Sequence, residues 1–113
     1  MILYAFDKTS SKIGYLKYSY PNDISGKRNL QIDYIWVLPE NRRSGVALSM
    51  INQLLDKYPD VTWVSLWTGT ESEEDDSHRL FIKAGFADLT YQKDYYAPGV
   101  GSRLYARRGK NNG

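Results

Sequence analysis

The hydrophobic and polar residues alternate with a strand-like period in the first third of the chain. "ILYAFD" and "IGYLKYSY" are rich in aromatic and β-branched residues and flank the polar turn "KTSSK", so they predict a hairpin. "PNDISGKRN" then separates the second strand from "LQIDYIWVL", whose density of apolar residues is typical of a central strand. We therefore expect three strands joined by two hairpin connections.

A helical period follows these strands. Apolar residues recur at the spacing of one helix face from Val46 to Tyr58, and Pro59 ends the pattern. The rest of the chain predicts a buried strand in "VTWVSLW", a second helix in "SEEDDSHRLFIKAG" closed by Gly85, and a last strand pair in "ADLTYQKDYYAPG" and "SRLYARR".

This order of elements predicts the fold class. A strand, a helix and a strand in succession usually form a right-handed parallel crossover, here inserted among antiparallel strands. We expect an α+β fold with a mixed, mostly antiparallel sheet, one central crossover and two main helices. Residues 1–106 should form a single domain, and residues 107–113 a basic, flexible tail.

Composition excludes several classes of function. The chain has 113 residues, of which 42% are hydrophobic and 25% charged, as in an ordinary globular domain. It contains no apolar run of membrane-spanning length and no signal-like start, so we expect a cytoplasmic protein with no membrane partner. With no cysteine and one histidine, neither a thiol nucleophile nor a protein metal site is expected.

The positive charges are concentrated at the carboxyl end. Four of the fifteen basic residues follow residue 102, where there is no acidic residue. A short basic end is more often a solvated terminus than a nucleic-acid arm. Nucleic acid is therefore the less favoured partner, although this pattern leaves it open.

The connection "LPENRRSGVA" lies between the predicted central strand and the first helix. The first N–H groups of a helix have no partner within it, and the helix dipole is positive there, so this position suits an anion such as phosphate. Gly45 and Ala47 are small enough for a close approach, and Arg42 adds a charged donor.

Two motifs resemble the GNAT acetyltransferase superfamily. "RRSGVA", from Arg42 to Ala47, matches the family's pyrophosphate signature of Arg or Gln, two residues, Gly, one residue, and Gly or Ala. "LFIKAGF", from Leu80 to Phe86, matches the pattern Leu-Tyr-x-Lys-x-Gly-Phe at all but one position. The motifs occur in the family's order with a strand between them.

The resemblance implies an N-acetyltransferase with acetyl-CoA as co-substrate. The amides of residues 43–47 would hold the pyrophosphate, the strand end would pair with the pantetheine arm, and an amine would attack the thioester directly. The cofactor-binding residues implied in this way are Ile35, Trp36, Val37, Arg42, Arg43, Ser44, Gly45, Val46, Ala47 and Phe81.

The catalytic acid and base are less well defined. Phe81 stands where the family often has a tyrosine that protonates the thiolate, so Tyr91, Tyr95 or Tyr96 would have to supply a phenol. Asp33 shares the alternation phase of Ile35 and Val37 and is expected either to deprotonate the amine or to be a solvated strand residue.

The resemblance implies that the sequence starts near the family's second strand, without the usual amino-terminal helices. An open acceptor site is therefore expected, with an amine of a small molecule or of a protein tail as the acceptor. An exposed sheet edge also makes a homodimer one expectation. The alternative function is a GNAT-fold binding protein, catalytically weak or inactive, that engages a protein or a nucleic acid.

Overall fold

The structure, a computed structural model, describes residues 1–21, 29–70 and 76–112. Within these ranges the chain forms six strands and two α-helices. The elements are β1 (Ile2–Phe6), β2 (Lys12–Ser19), β3 (Asn29–Val37), α1 (Val46–Lys57), β4 (Trp63–Thr70), α2 (Asp76–Lys83), β5 (Ala87–Ala97) and β6 (Val100–Arg108).

All six strands belong to one mixed sheet. Its order is β1-β2-β3-β4-β6-β5. β3 and β4 are parallel, and the other neighbouring strands pair antiparallel. The predicted α+β class with a central strand–helix–strand crossover is confirmed.

Both helices pack on the same face of this sheet. Tyr18, Ile32, Leu66 and Tyr105 lie side by side across four neighbouring strands, so their side chains share one face. All four are buried in a single core cluster together with α1 residues such as Met50, Ile51, Leu54 and Leu55 and with Phe81 of α2. Burial of this face supplies most of the hydrophobic stabilisation.

The opposite face of the sheet carries aromatic side chains without a covering helix in the described residues. Tyr15 packs against Tyr34 and Trp36, with ring centroids 6.0 and 5.8 Å apart. Trp63 and Trp67 continue this face onto β4, and both are exposed. In the described residues the helices cover the other face, so these two tryptophans lie on the exposed face of the sheet.

A glycine with positive φ borders each helix. Gly45 (φ 86°) is the residue before α1, where its left-handed conformation would strain a residue with a Cβ. Gly85 (φ 88°) follows α2, and the Phe86 N–H donates back to the Phe81 carbonyl at 3.0 Å. The prediction that Gly85 closes the second helix is confirmed, while the first residues of that prediction lie outside the described part of the chain.

The expected basic tail is largely structured, which corrects the boundary at residue 106. Arg107 and Arg108 belong to β6, and Arg107 Nη1 donates to the Ala84 carbonyl at 2.7 Å. Residues 110–112 form a short 3-10 helix in which the Asn111 amide donates to Asp60 Oδ1 at 2.7 Å. The side-chain amides thus bind a turn about fifty residues away, which no local pattern reveals.

Candidate functional site

β3 and β4 separate partway along their length. The two strands pair in register from Asn29 and Trp63 to Ile32 and Leu66, and the pairing stops there. β3 continues for five residues to Val37 and β4 for four residues to Thr70. The carboxyl halves of the two parallel strands therefore border an open gap in the middle of the sheet.

A β-bulge coincides with the start of this gap. Lys17 of β2 pairs with Tyr34, whereas the next residue, Tyr18, pairs with Ile32, so Asp33 is an extra residue in β3. An extra residue bends the strand that contains it and increases its twist. The bulge accounts for the departure of β3 from β4.

The gap forms the floor of a cleft of about 860 Å³. Its walls come from the two strand ends, from the connection between β3 and α1, and from one side of α2. The lining residues are Ile32–Val37, Asn41–Arg43, Gly45–Leu48, Leu66–Gly69, Ser77, Leu80, Phe81 and Lys83. The cleft thus brings both sequence motifs to one place.

The backbone along the gap can accept a ligand strand. Residues of a strand direct their N–H and C=O groups to alternate sides, and those directed across a gap have no ladder partner. In the described residues no strand lies between residues 33–37 of β3 and residues 67–70 of β4. A ligand with amide groups could pair with both edges.

The connection into α1 presents N–H groups to the end of the cleft. Gly45 precedes α1, and no side chain caps the first turn. Arg43 is also left-handed, with a φ of 63°. A Cβ placed on Gly45 would meet no protein atom within 4 Å, so the space in front of this backbone is open to a ligand.

Two side chains of this connection have defined partners. Arg42 Nε donates to the Val37 carbonyl at 2.9 Å, which fixes the guanidinium at the end of the gap. Ser44 Oγ donates to the Asn41 carbonyl and lines a smaller neighbouring cleft instead of the main one. Of the ten residues implied for cofactor binding, Ser44 alone is absent from the main cleft wall.

Asp33 lines the cleft, but its phase along β3 differs from the prediction. Because the bulge resets the alternation, Val37 is buried and Ile35 packs against the core, while Asp33 is exposed on the other side. The Gln31 amide donates to Asp33 Oδ1 at 2.9 Å. The carboxylate therefore lies on the helix-free face, at the point where the gap begins.

The three candidate tyrosines occupy different positions on β5, and none lines the main cleft. Tyr91 lies over Gly101, where an added Cβ would be 2.6 Å from its ring, and under the Arg103 guanidinium. Tyr96 packs on Gly69, a cleft residue, at 3.6 Å from a Cβ built there. Tyr95 is exposed and contacts the Tyr96 ring. Of the three tyrosines, Tyr96 is thus placed with its ring against a residue of the cleft wall.

Phe81 occupies the cleft wall and the core together. Its ring lies 5.0 Å from the Tyr105 ring and 6.1 Å from the Phe86 ring, and its side chain is buried. This packing accounts for an aromatic side chain at position 81, and the packing needs no hydroxyl group on the ring. The phenyl ring offers the cleft an apolar surface and no proton.

Several polar lining residues escaped the sequence analysis. Thr68 on β4 and Ser77 on α2 contribute hydroxyl groups, and Lys83 contributes a cation. The predicted parallel crossover already implies a position for Thr68 in the cleft. Residues that come after the paired part of the second strand lie opposite the residues that come after it on the first strand. Ser77 carried no pattern of its own, whereas Lys83 is the lysine of the second motif, to which the sequence analysis gave no role.

Known structures show the same fold. The chain aligns over 96% of its length with the ribosomal-protein-S18-alanine N-acetyltransferase from Escherichia coli, at 14% identity and a TM-score of 0.78, covering 68% of that chain. It aligns over 95% with the phosphinothricin acetyltransferase from Sinorhizobium meliloti, solved in complex with AcCoA, at 17% identity and a TM-score of 0.79, covering 60% of that chain.

A third structure extends the comparison. The ribosomal-protein-alanine N-acetyltransferase from Brucella melitensis aligns over 95% of the present chain, at 17% identity and a TM-score of 0.74, and 67% of its own chain is covered. The chain thus spans about 60 to 68% of these three proteins. Among curated proteins, none is significantly similar in sequence.

Two further findings bear on the class of protein. In the residues that the structure describes, no helix is long and apolar enough to cross a lipid bilayer. The family model for the Acetyltransferase (GNAT) family matches residues 2–86, which include the strands, the connection and the helices that form the main cleft. The chain therefore belongs to the GNAT acetyltransferase family.

Proposed function

We propose that this protein binds acetyl-CoA in the main cleft and transfers the acetyl group to a primary amine. The observation that carries the proposal is the gap that opens between β3 and β4 at Asp33, with the connection of residues 42–47 at its end. A long ligand with an anionic middle and an amide-bearing arm is complementary to that combination.

The connection supports the anionic part of this ligand. Uncapped N–H groups at the start of α1 and the dipole of the helix favour a diphosphate. Arg42 and Arg43 line the same end of the cleft and provide positive charge. The open space in front of Gly45 leaves room for the phosphate oxygens.

The gap supports the pantetheine arm. That arm contains two amide groups, which can pair with the backbone edges of residues 35–37 on β3 and residues 67–69 on β4. Phe81 and Leu80 provide apolar surface alongside. The acetyl carbonyl would then lie where the gap begins, close to Asp33.

The cleft needs to supply a base for the amine and a proton for the departing thiolate. The amine nitrogen attacks the acetyl carbonyl carbon, the carbon–sulfur bond breaks, and the thiolate takes a proton. Asp33 is the proposed base, acting directly or through water, because it is an exposed carboxylate that lines the cleft where the gap begins. Tyr96 is the proposed acid among the candidate tyrosines, because it contacts the cleft wall at Gly69.

The acceptor is proposed to be an amine of a small molecule or of a protein tail that approaches from the helix-free face. Tyr34 and Trp67 are exposed and border the cleft on that face, so the entrance to the cleft is wide there.

The second candidate function is a binding protein with weak or no catalysis. Phe81 favours that alternative, since it cannot protonate the thiolate from the cleft wall.

A pair of glycine variants tests the proposed site. Gly45 and Gly99 have φ values of 86° and 82°, and an added Cβ at either position would meet nothing within 4 Å. Gly45 borders the cleft, whereas Gly99 lies between β5 and β6. Gly45→Asp should abolish acetyl-CoA binding by placing a carboxylate against the diphosphate, and Gly99→Asp should leave it intact.

Binding and transfer are to be measured on both variants and on the unmodified protein. Transfer is followed as release of the CoA thiol with a panel of primary amines and by the mass of the acetylated product. Equal acetyl-CoA affinity of the two aspartate variants would contradict the assignment. Binding without transfer to any amine would favour the second candidate function.

A further inference from the structure

The helix-free face of the sheet carries three positively charged side chains that each lie over an aromatic ring. Tyr4 pairs with Tyr15 across β1 and β2, and Trp63 pairs with Arg108 across β4 and β6, so the members of each pair share a face. The three contacts are Lys12 over Tyr4, Lys17 over Tyr15 and Arg108 over Trp63, with 4.1, 5.8 and 4.3 Å between the charged group and the ring centroid.

The aromatic rings of this face are accessible to a ligand. Trp63 remains 40% exposed although the Arg108 guanidinium lies over it, and Tyr4, Tyr34 and Trp67 are exposed as well. These rings extend over β1, β3 and β4. A nucleobase can stack on an exposed aromatic ring and also on the plane of an arginine guanidinium.

The strands that form this face have a strong excess of positive charge. β1, β2, β3, β4 and β6, all of which the structure describes throughout, contain a single acidic residue, Asp33. In the described part of the chain no carboxylate forms a salt bridge with Lys12, Lys17 or Arg108. A phosphate could therefore bind these three side chains without breaking an ion pair.

We infer that the helix-free face binds single-stranded nucleic acid, with bases stacked on the exposed rings and phosphates bound by Lys12, Lys17 and Arg108. Proteins that bind single strands combine these two features, aromatic rings for successive bases and a positive surface for the backbone. The inference goes beyond the proposed function and does not depend on it, because Trp63 and the three cations lie outside the wall of the main cleft.

The position of Arg108 removes the sequence-based argument against this class of ligand. That argument treated the basic residues at the carboxyl end as a solvated terminus. In the structure Arg108 belongs to β6 and lies opposite Trp63 in the ladder. Its charge is therefore part of a surface that also includes Lys12 and Lys17 on β2.

A second copy of this chain is the competing occupant of the face. In a two-fold symmetric contact the same surface of both copies would meet. The three cations of each copy would then approach the three cations of the other, with Asp33 as the one carboxylate that each copy's strands supply. Because like charges that face each other oppose association, a polyanion fits this surface better than a second copy.

The first test compares single-stranded with double-stranded ligands by fluorescence anisotropy. The probes are labelled strands of about 12 nucleotides, within the range that one single-strand binding domain covers, made of thymidine DNA or uridine RNA. Both should bind more tightly than a DNA duplex of equal length, whose bases are already stacked on one another. Since the duplex has the denser charge, tighter binding of the duplex would mean that charge alone acts, and the inference would be wrong.

The DNA and RNA probes distinguish two sources of the same ligand chemistry. Equal affinities would support recognition through base faces and phosphates alone. Tighter binding of the RNA strand would support the inference with an additional contact to the 2′-hydroxyl group.

Variants of Trp63 test the stacking. Trp63→Leu keeps an apolar side chain and removes the ring, so it should weaken the binding of single strands about tenfold. Trp63→Phe should retain most of the affinity. Neither variant changes the charge, so neither should alter the slope of log affinity against log salt concentration. Equal affinities of Trp63→Leu and the unmodified protein would contradict stacking on this ring.

A pair of lysine variants tests the phosphate contacts. Lys17→Gln should reduce the magnitude of the salt slope by about 0.7, the value for one phosphate contact of a single strand. Lys57→Gln is the matched control, because Lys57 also lies over a tyrosine ring, that of Tyr58 at 5.6 Å, but belongs to α1. Equal effects of the two variants would assign binding to the net charge of the protein and overturn the inference.

Thermal unfolding of every variant precedes these titrations, and Lys17→Gln keeps the inference testable if Trp63→Leu does not fold. Size-exclusion chromatography with light scattering tests the competing occupant. If the unmodified protein is a dimer that Trp63→Leu dissociates, the face is an interface between copies and the inference is wrong.

Titration of the same samples with acetyl-CoA separates the inference from the proposed function. Trp63→Leu should leave acetyl-CoA binding unchanged, because Trp63 does not line the main cleft. If the unmodified protein binds acetyl-CoA and neither strand, the inference fails while the proposed function stands. If it binds the strands but not acetyl-CoA, the proposed function fails while the inference stands.

Discussion

The paired and the separated stretches of β3 and β4 differ in what lies between the two strands. Where the strands pair, Ile32 and Leu66 are buried beneath the helices. Beyond them, Tyr34 is 52% and Trp67 49% exposed, and the strands border a cleft. One extra residue, Asp33, marks the transition. A single bulge can thus turn a continuous sheet into a core at one end and a binding gap at the other.

The largest effect on the difference between the paired and the separated stretches is expected from deletion of Asp33. Without the extra residue, β3 would pair one-to-one with β2, and Ile35 and Val37 would keep their present face because the alternation becomes regular. β3 could then follow β4 to its end and close the gap. We expect the deletion variant to fold and to lose acetyl-CoA binding, as measured by circular dichroism and calorimetric titration.

Two controls separate the bulge from its side chain. Asp33→Asn keeps the extra residue, so it should retain acetyl-CoA binding and slow acetyl transfer. Leu89 is likewise an extra residue, in the pairing of β5 with β6, and its deletion should leave binding intact. Undiminished binding by the variant that lacks Asp33 would show that the gap does not depend on the bulge.

The next effect concerns the stability that the two faces of β4 contribute. Leu66 is 3% exposed and Trp67 is 49% exposed, although they are adjacent in β4. Leu66→Ala should lower the free energy of unfolding by about 2–5 kcal/mol, because it leaves a cavity in the core. Trp67→Ala should change it by less than about 1 kcal/mol. Urea unfolding measures both, and similar losses would mean that the helix-free face is covered.

The smallest expected effect is a pH dependence of the stability, which arises from Tyr18 beside the last residue of β3 that pairs with β4. Tyr18 lies beside Ile32, and burial, followed by its hydrogen bond to Tyr58, raises the pKa of Tyr18 from 10.0 to about 12. The unfolded state therefore releases the phenolic proton first as the pH rises. Stability should be fully retained below about pH 10 and decline as the pH rises towards about 12.

Tyr18→Phe should reduce this alkaline decline. At neutral pH the variant should lose about 1 kcal/mol, because the hydrogen bond to the Tyr58 hydroxyl is removed. A residual slope should remain, since burial also raises the pKa of Tyr20. The check is urea unfolding at a series of alkaline pH values, and an unchanged slope in Tyr18→Phe would assign the decline to other groups.

Much of the architecture could be predicted because it depends on local patterns. The crossover could be predicted from the helical spacing between Val46 and Tyr58 and from the apolar run of β4. Because the connection with Gly45 belongs to this crossover, it had to lie at the ends of the strands. The family's two motifs then identified both walls of the cleft. Residues 42–47 and Phe81 needed no long-range information.

The bulge could not be predicted with the same ease. In "LQIDYIWVL" the residues that face the core change from Leu30 and Ile32 to Ile35 and Val37, so the alternation shifts by one residue at Asp33. That shift cannot be recognised in the sequence pattern, because the aromatic residues on the helix-free face make both faces of β3 apolar. The phase assigned to Asp33 was wrong for this reason.

The positions of the β5 tyrosines depend on contacts that sequence patterns do not encode. Tyr91 and Tyr96 lie over Gly101 and Gly69, two glycines on different strands. Bulges between Asp88 and Thr90 and further along β5 also shift the pairing with β6. Period-two reasoning could not choose among the three tyrosines, since β5 does not keep one register.

Calorimetric titration with acetyl-CoA, CoA and ATP tests the central claim most directly. ATP carries phosphates but no pantetheine arm, so it can use the connection but not the gap. The account predicts saturable one-to-one binding of acetyl-CoA and CoA and much weaker binding of ATP. No binding of either CoA ligand at millimolar concentration, which corresponds to a binding free energy weaker than about −4 kcal/mol, would contradict it.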